Sequence, residues 1–399
     1  MEQNPLSRRV TSLAESQTIG MSKLSRELSA KGIDIVNLSL GEPDFVTPQH
    51  IREAAKKAID DGYTFYPPIS GYAELRKAVS AKFKRENNLD YNPDQVVIST
   101  GAKQSIANVV LCLVNPGDEV IIPLPYWVSY IEIVKLAEGV TVPIHTTVQS
   151  EFKITPEQLE AAITPKTKLF IFSSPCNPTG SVYTRDELKA LADVFAKHPN
   201  VFILSDEIYE HINFLDAHQS IAQFDFIKDR VIIVNGVSKG YAMTGWRIGY
   251  IGAPKYIAEA CDKMQGQFTS AASSIAQKAA EAALTLDNRP TMEMKEAFLR
   301  RRNLVLGLMK DIPGIILNEP KGAFYLFPDV SSYFGKTDGE TVIKDASDLC
   351  MYLLHKGHVS LVTGDAFGEP NCLRFSYAAA DEKLVEAVKR IRHALSLLK

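Results

Sequence analysis

"VFILSDEIYEH" occupies residues 201–211. Four apolar residues lead into Ser205 and Asp206, and a polar segment with Tyr209 follows. A short apolar run bounded this way reads as a buried strand. Similar runs stand on either side: "QVVIS" (95–99), "EVIIP" (119–123), "VTVPI" (140–144), "KLFIFSS" (168–174) and "RVIIVNG" (230–236). Between them lie amphipathic stretches such as "ELKALADVFAKH" (187–198), which read as helices. Alternating strands and helices require crossover connections, hence an α/β fold with a mostly parallel sheet covered on both faces. In such sheets the ligand sits outside the carboxyl ends of the strands. That rule selects the residues worth inspecting.

The rest of the composition narrows the class. The chain has 399 residues, 45% hydrophobic and 23% charged, which is ample for a large core. A net charge of −3 gives no electrostatic case for nucleic acid or an anionic membrane. The five cysteines are scattered, with no C-x-x-C pair, so neither a disulfide framework nor a metal site is expected. No apolar run approaches membrane-spanning length, and the start "MEQNPLSRRV" has no apolar core of a signal peptide. A soluble, cytoplasmic protein is expected.

After residue 285 the texture changes. "MEMKEAFLRRRNLVLGLMKDI" (292–312) reads as a long helix, followed by strand-like "GAFYLFP", helix-like "DASDLCMYLLHKG", strand-like "VSLVTG" and "CLRFSYA", and a last helix from Asp381. The expected organisation is a large α/β domain over 46–290 and a smaller α+β domain built from 1–45 and 291–399.

Several residues stand near strand ends, each with an ordinary alternative. Asp206 ends a buried strand, where a carboxylate needs a cation or donor, although Asp also caps helices. Asn177 in "SPCNPTG" offers an amide to a ligand, or simply forms a turn. Gly101-Ala102-Lys103 opens a helix whose free N–H groups suit a phosphate, or is a plain connection. Trp127 could stack on a planar ligand or pack in the core. Lys239, in "NGVSKGYAMTGWRIGY" (235–250), sits among small residues with Arg247 eight positions on and no acid between. A desolvated lysine beside another cation has a lowered pKa and becomes a competent nucleophile. An amine, a carboxylate for a ring nitrogen, amide and phenol donors, a phosphate cradle and a stacking aromatic are together what pyridoxal 5'-phosphate requires.

The motifs "SLGEPDF", "TFYPPISGYAELRKAV", "GAKQ", "PYWVSY", "SPCNPTG", "SDEIYEH", "NGVSKGYAMTGWRIGY" and "LRFSYA" span nearly the whole chain in one order. This set resembles the fold-type I, class I pyridoxal-phosphate aminotransferases, and most of all the bacterial-branch aspartate aminotransferases. The resemblance implies a large domain with a seven-stranded sheet. It implies that Lys239 bonds the cofactor aldehyde and then shuttles a proton, while Asp206 pairs with the ring nitrogen. Asn177 and Tyr209 would donate to the ring oxygen, and Trp127 would stack on the ring. Gly101, Ala102, Lys103, Ser238 and Arg247 would hold the phosphate. Tyr66 would reach the phosphate of a partner subunit, making a homodimer. Arg374 would clamp the substrate α-carboxylate, with Gly41, Trp127 and Asn177 beside it.

Two positions depart from the wider family. Many relatives carry a phosphate-binding serine where this chain has Gly236, and Ser238 is the hydroxyl available instead. "GQFTSAASSIAQ" (266–277) has no arginine for a distal carboxylate. The bacterial branch uses a lysine at the position of Lys103, helped by hydroxyls in the region of Ser16 and Thr18. The expected reaction is therefore aspartate plus 2-oxoglutarate giving oxaloacetate and glutamate. Aromatic or prephenate transamination is the alternative on the same scaffold. A DNA-binding regulator is disfavoured, since no basic helix-turn-helix extension is present.

Overall fold

The computed structural model describes residues 5–399. Its main sheet has seven strands in the spatial order Val96–Ser99, Gly249–Gly252, Val231–Gly236, Phe202–Asp206, Thr167–Ser173, Glu119–Pro123, Val140–Ile144. All six strands expected from the apolar runs are present. Neighbours from Val231–Gly236 to Val140–Ile144 pair in parallel, and Gly249–Gly252 lies antiparallel to both its neighbours. This seventh strand, "GYIG", was not foreseen as one, because glycine is depleted in strands. Alternate residues pack to opposite faces. Ile98, Ile121, Phe170, Ile203 and Ile233 join one buried cluster, while Val97, Val120, Leu169, Leu204 and Ile232 join another. Both faces are apolar, as parallel strands between helices require.

The glycines of the unforeseen strand have a steric purpose. Gly236 and Gly249 are register partners. A Cβ on Gly249 would collide with the backbone of Gly101 and Ala102, and one on Gly236 would stand 2.8 Å from the Ile248 carbonyl oxygen. The bare strand therefore lets the start of helix Ala102–Leu113 press against the end of that strand.

The chain ends assemble around a further apolar cluster. Val36–Asn37 pairs in parallel with Val359–Ser360. Leu373–Ser376 pairs antiparallel with Val362–Thr363 on one side and Tyr325–Leu326 on the other. Phe298 of helix Arg289–Met309, Leu349 of Ala346–His355 and Leu384 of Asp381–Ser396 share that cluster with Phe324 and Tyr325. Ile208 and Tyr209, directly after the strand ending at Asp206, also belong to it.

The segment 206–211 is pinned from behind. Asp206 and Tyr209 line a cavity at the carboxyl end of the central strand, while the carboxylates of Glu207 and Glu210 are buried and do not line it. Glu207 accepts from Ser205 Oγ (2.9 Å) and Ser220 Oγ (2.7 Å) and meets His218 Nε2 at 2.9 Å. Glu210 pairs with the fully buried Lys82 of helix Ala73–Asn87 and accepts from Asn87 Nδ2 at 2.7 Å. Burial pushes the Glu210 carboxyl up, but Lys82 and the two nearby histidines outweigh it and bring its pKa to about 2. Glu86, Glu210 and His211 converge there, and the Lys82 ammonium is the cation they share.

Removing that cation leaves a buried carboxylate uncompensated, at a cost of about 3–5 kcal/mol. Lys82→Met should therefore lower the urea midpoint sharply at pH 7. The loss should shrink below about pH 4.5, where Glu210 can take up a proton in the unfolded chain and, in the variant, in the folded one. An unchanged midpoint at pH 7 would show that the pair holds nothing in place.

Candidate active site

A cavity of about 450 Å³ opens at the carboxyl ends of the parallel strands. Ser173, Asp206 and Ser238 enter it from strand ends or the turn that follows. Lys239, Arg247 and Arg374 also line it, as do Thr18, Ser22 and Arg26 of helix Gln17–Ala30. Of the residues singled out in the sequence, Gly41, Ala102, Lys103, Trp127, Asn177, Asp206, Tyr209, Ser238, Lys239, Arg247 and Arg374 line this one space. Gly101 lies just behind Arg247. Tyr66 does not line it and is 95% exposed.

Asp206 is not a helix cap, because a turn rather than a helix follows its strand. Its Oδ2 accepts from the buried Tyr130 hydroxyl at 2.7 Å, and its Oδ1 accepts from the Ile208 N–H at 3.2 Å. Burial nevertheless dominates these donors and raises its pKa to about 6. Such a carboxylate stabilises a cation delivered to it. Lys239 donates to the Gly41 carbonyl oxygen. Burial, then the charge of Arg374, lowers its pKa to about 8, so the neutral amine is accessible near physiological pH.

Arg374 is buried and bonded only on two nitrogens. Nη1 donates to Asn177 Oδ1 at 3.0 Å and Nη2 to the Ser39 carbonyl oxygen at 2.6 Å, while Nε has no partner. It stacks over Tyr325, 4.6 Å from the ring centre, and over Phe367. Because Asn177 spends its oxygen on Arg374, its amide N–H groups remain for something in the cavity. The Tyr209 and Tyr325 hydroxyls meet at 2.7 Å. A Cβ on Gly41 would stand 2.7 Å from the Tyr325 hydroxyl, so glycine lets that backbone approach.

At the other end, helix Ala102–Leu113 begins behind Gly101, whose φ of 83° favours glycine. The N–H groups of Ala102 and Lys103 have no intrahelical acceptor, which makes an anion cradle. Arg247 also has a positive φ, 58°, and its guanidinium lies against Gly101 so closely that a Cβ there would collide with it. Trp127 packs edge-on to Tyr130, and the Lys103 ammonium sits 5.1 Å from its ring centre. Ser238 lines the cavity. Gly236 is walled off by the Ile248 backbone, so a hydroxyl could not be carried there without moving the strand. Thr18 lines the cavity, and Ser16 reaches it only through the Thr18 hydroxyl, 2.9 Å away.

Tyr130, Tyr325 and Ser39 were missed in the sequence. Tyr130 follows Trp127 by three residues in the same motif, and its N–H donates to the Trp127 carbonyl oxygen at 2.9 Å as the helix Ser129–Leu136 begins. Nothing local marked Tyr325 or the Ser39 carbonyl, which come from remote parts of the chain.

The donor set fits a planar pyridine aldehyde that carries a phosphate. A depressed amine stands for the aldehyde, an ionisable buried carboxylate for the ring nitrogen, and a helix start with Arg247 for the phosphate. Arg374 lines the same cavity, and the second N–H of each of its Nη groups then remains for a carboxylate.

The family described as aminotransferase class I and II matches residues 33–391. A Petunia hybrida protein named bifunctional aspartate aminotransferase and glutamate/aspartate-prephenate aminotransferase is 48% identical, over 99% of this chain and 83% of that protein. The aspartate aminotransferase structure from Rhizobium meliloti superposes with a TM-score of 0.96 at 41% identity, over the whole of both chains. The Thermus thermophilus aspartate aminotransferase solved with maleate gives a TM-score of 0.93 at 38% identity, over 98% of this chain and 100% of that one.

The two shifted groups have opposite signatures in the ligand-free protein. Asp206 is raised from 3.8 to about 6, so its contribution to stability is full below 3.8 and lost as pH rises through 6. Asp206→Asn should therefore raise the urea midpoint more at pH 8 than at pH 4. Lys239 is lowered from 10.5 to about 8, so its contribution is full above 10.5 and lost as pH falls through 8. Lys239→Met should stabilise at pH 7, with the gain vanishing near pH 10.5. Flat pH dependence in both variants would contradict the burial of these groups.

Proposed function

The chain belongs to the class I and II aminotransferases, and on that premise we propose that it moves the amino group of aspartate to 2-oxoglutarate, giving oxaloacetate and glutamate, with pyridoxal 5'-phosphate as cofactor. One observation carries the cofactor assignment. An amine with its pKa brought to about 8 and a carboxylate with its pKa raised to about 6 face one cavity that ends in an anion cradle. The bound cofactor would supply an electron sink for the electrons of a broken Cα–H bond.

The protein residues divide the remaining work. Asp206, held by Tyr130 and the Ile208 N–H, would keep a proton on the ring nitrogen. Asn177 and Tyr209 would hold the ring oxygen, and Trp127 would cover the ring. Ala102, Lys103, Ser238 and Arg247 would bind the phosphate, with Gly101 providing the room. Arg374 would bind the α-carboxylate through the nitrogens facing the cavity, beside Gly41. Lys239 would carry the proton from the substrate Cα. Lys103, partly desolvated and close to Arg247, has a lowered pKa for those two reasons in that order and would face the distal carboxylate.

Two relatives bear on the substrate. The Thermus structure was solved with maleate, a dicarboxylate, which suits the aspartate reading. The name of the Petunia protein includes prephenate, so prephenate is the second amino acceptor to try. We also propose a homodimer in which Tyr66 reaches the partner's phosphate site. Phe65 and Tyr66 are 83% and 95% exposed, an arrangement that a second chain would cover. Two lobes, 46–290 and 1–45 with 291–399, are part of the same proposal.

The purified protein should absorb visible light, and borohydride should fix the cofactor mass to the peptide containing Lys239. Lys239→Ala should lose amino transfer from aspartate by several orders of magnitude, and normal turnover in it would end the mechanism. Lys103→Ala should raise KM for aspartate more than for phenylalanine. Equal changes for the two donors would remove Lys103 from substrate selection. Sedimentation should give twice the chain mass.

A further inference from the structure

The cavity wall formed by helix Gln17–Ala30 holds a cation that none of the roles above uses. Thr18, Ser22 and Arg26 of this helix all line the cavity. They are spaced by four residues, so they lie along one side of the helix. Helical side chains lean toward the N-terminus, which tilts Arg26 back toward Ser22 and Thr18. Ser25, its neighbour, fixes the helix by donating to Ser360 Oγ at 2.7 Å. Among the described residues no carboxylate pairs with Arg26.

Charge within the cavity is lopsided. Arg26, Lys103, Lys239, Arg247 and Arg374 line it, against the single carboxylate of Asp206. A phosphate accounts for Arg247 and an α-carboxylate for Arg374, while Lys239 is needed as a neutral amine. Lys103 and Arg26 remain. Lys103 rests over the face of Trp127, which already engages its charge. Arg26 has a planar fork of donors and no protein acceptor for it among the described residues, an arrangement suited to a second carboxylate.

We propose that Arg26 is a specificity-determining residue that binds the distal carboxylate of dicarboxylic amino acids and 2-oxo acids, in addition to Lys103. The proposal rests on the aminotransferase reading of the cavity. It makes the Gln17–Ala30 helix part of substrate selection, with the hydroxyls of Thr18 and Ser22 on the same wall.

The test uses the cofactor-loaded enzyme with Arg26→Gln and Arg26→Lys. Calorimetry measures binding of succinate, an unreactive dicarboxylate, and of butyrate, which has one carboxylate and the same chain length. Arg26→Gln should weaken succinate at least fivefold and butyrate less than twofold, and Arg26→Lys should recover most of the loss. The ratio of kcat/KM for aspartate to that for phenylalanine should fall about tenfold in Arg26→Gln. Equal weakening of both acids, or no weakening of either, overturns the proposal. Failure of the wild-type enzyme to transfer an amino group from any donor, with succinate binding still dependent on Arg26, overturns the function and leaves the dicarboxylate site standing. Arg26 is solvent-exposed, so thermal midpoints of the variants should match the wild type and separate binding from folding.

Discussion

The buried ion pair of Lys82 and Glu210 holds the part of the chain on which the site depends. The central strand Phe202–Asp206 is paired on both sides as far as Asp206, but its ladder stops at its carboxyl end, so the residues past it need other anchors. Glu207 and Glu210 provide them by turning into the protein, where Ser205, Ser220, His218, Asn87 and Lys82 saturate both carboxylates. Asp206 and Tyr209 are then presented to the cavity from a segment fastened on its other side. Buried charge is expensive, but a pair with every oxygen engaged fixes geometry in a way that apolar packing does not.

The cavity follows a second constraint, that of backbone approach. Gly236, Gly249 and Gly101 allow a strand, a helix start and the Arg247 guanidinium to come within contact of each other. Gly41 does the same beside Tyr325 and Arg374 at the opposite end. Anion-holding groups thus gather at both ends of the cavity, with the amine of Lys239 and the carboxylate of Asp206 between them. Desolvation sets their protonation: it pushes Asp206 up and Lys239 down, so that both titrate nearer neutrality than free side chains do.

The amino-acid sequence made much of this legible. Apolar runs located six strands of the sheet, and the rule about strand ends led to Asp206, Asn177 and Lys239 before any geometry was known. Gly249–Gly252 escaped because two glycines in four residues hide a strand whose value lies in having no side chains. Tyr325 and Ser39 escaped for a different reason. Their partners lie far along the chain, at Tyr209 and Arg374, and no local pattern encodes a contact between segments so distant. The Lys82 cluster was equally hidden, since a lysine within "ELRKAVSAKFKREN" looks like an ordinary exposed charge until the helix is placed. The Gly236 departure acquired a reason only with the structure: the Ile248 backbone leaves no space for a hydroxyl there.

Tyr209 has an unusual address. Three residues before it, Asp206 is fixed to the central sheet, yet the Tyr209 ring is packed in the cluster built by the chain ends and its hydroxyl meets that of Tyr325. One short peptide therefore spans two packing units. Any sliding of one unit over the other would pass through this joint and be felt as torque on the Tyr209 phenol. A shift between the two clusters would therefore turn the Tyr209 phenol relative to Asp206, which stays with the sheet.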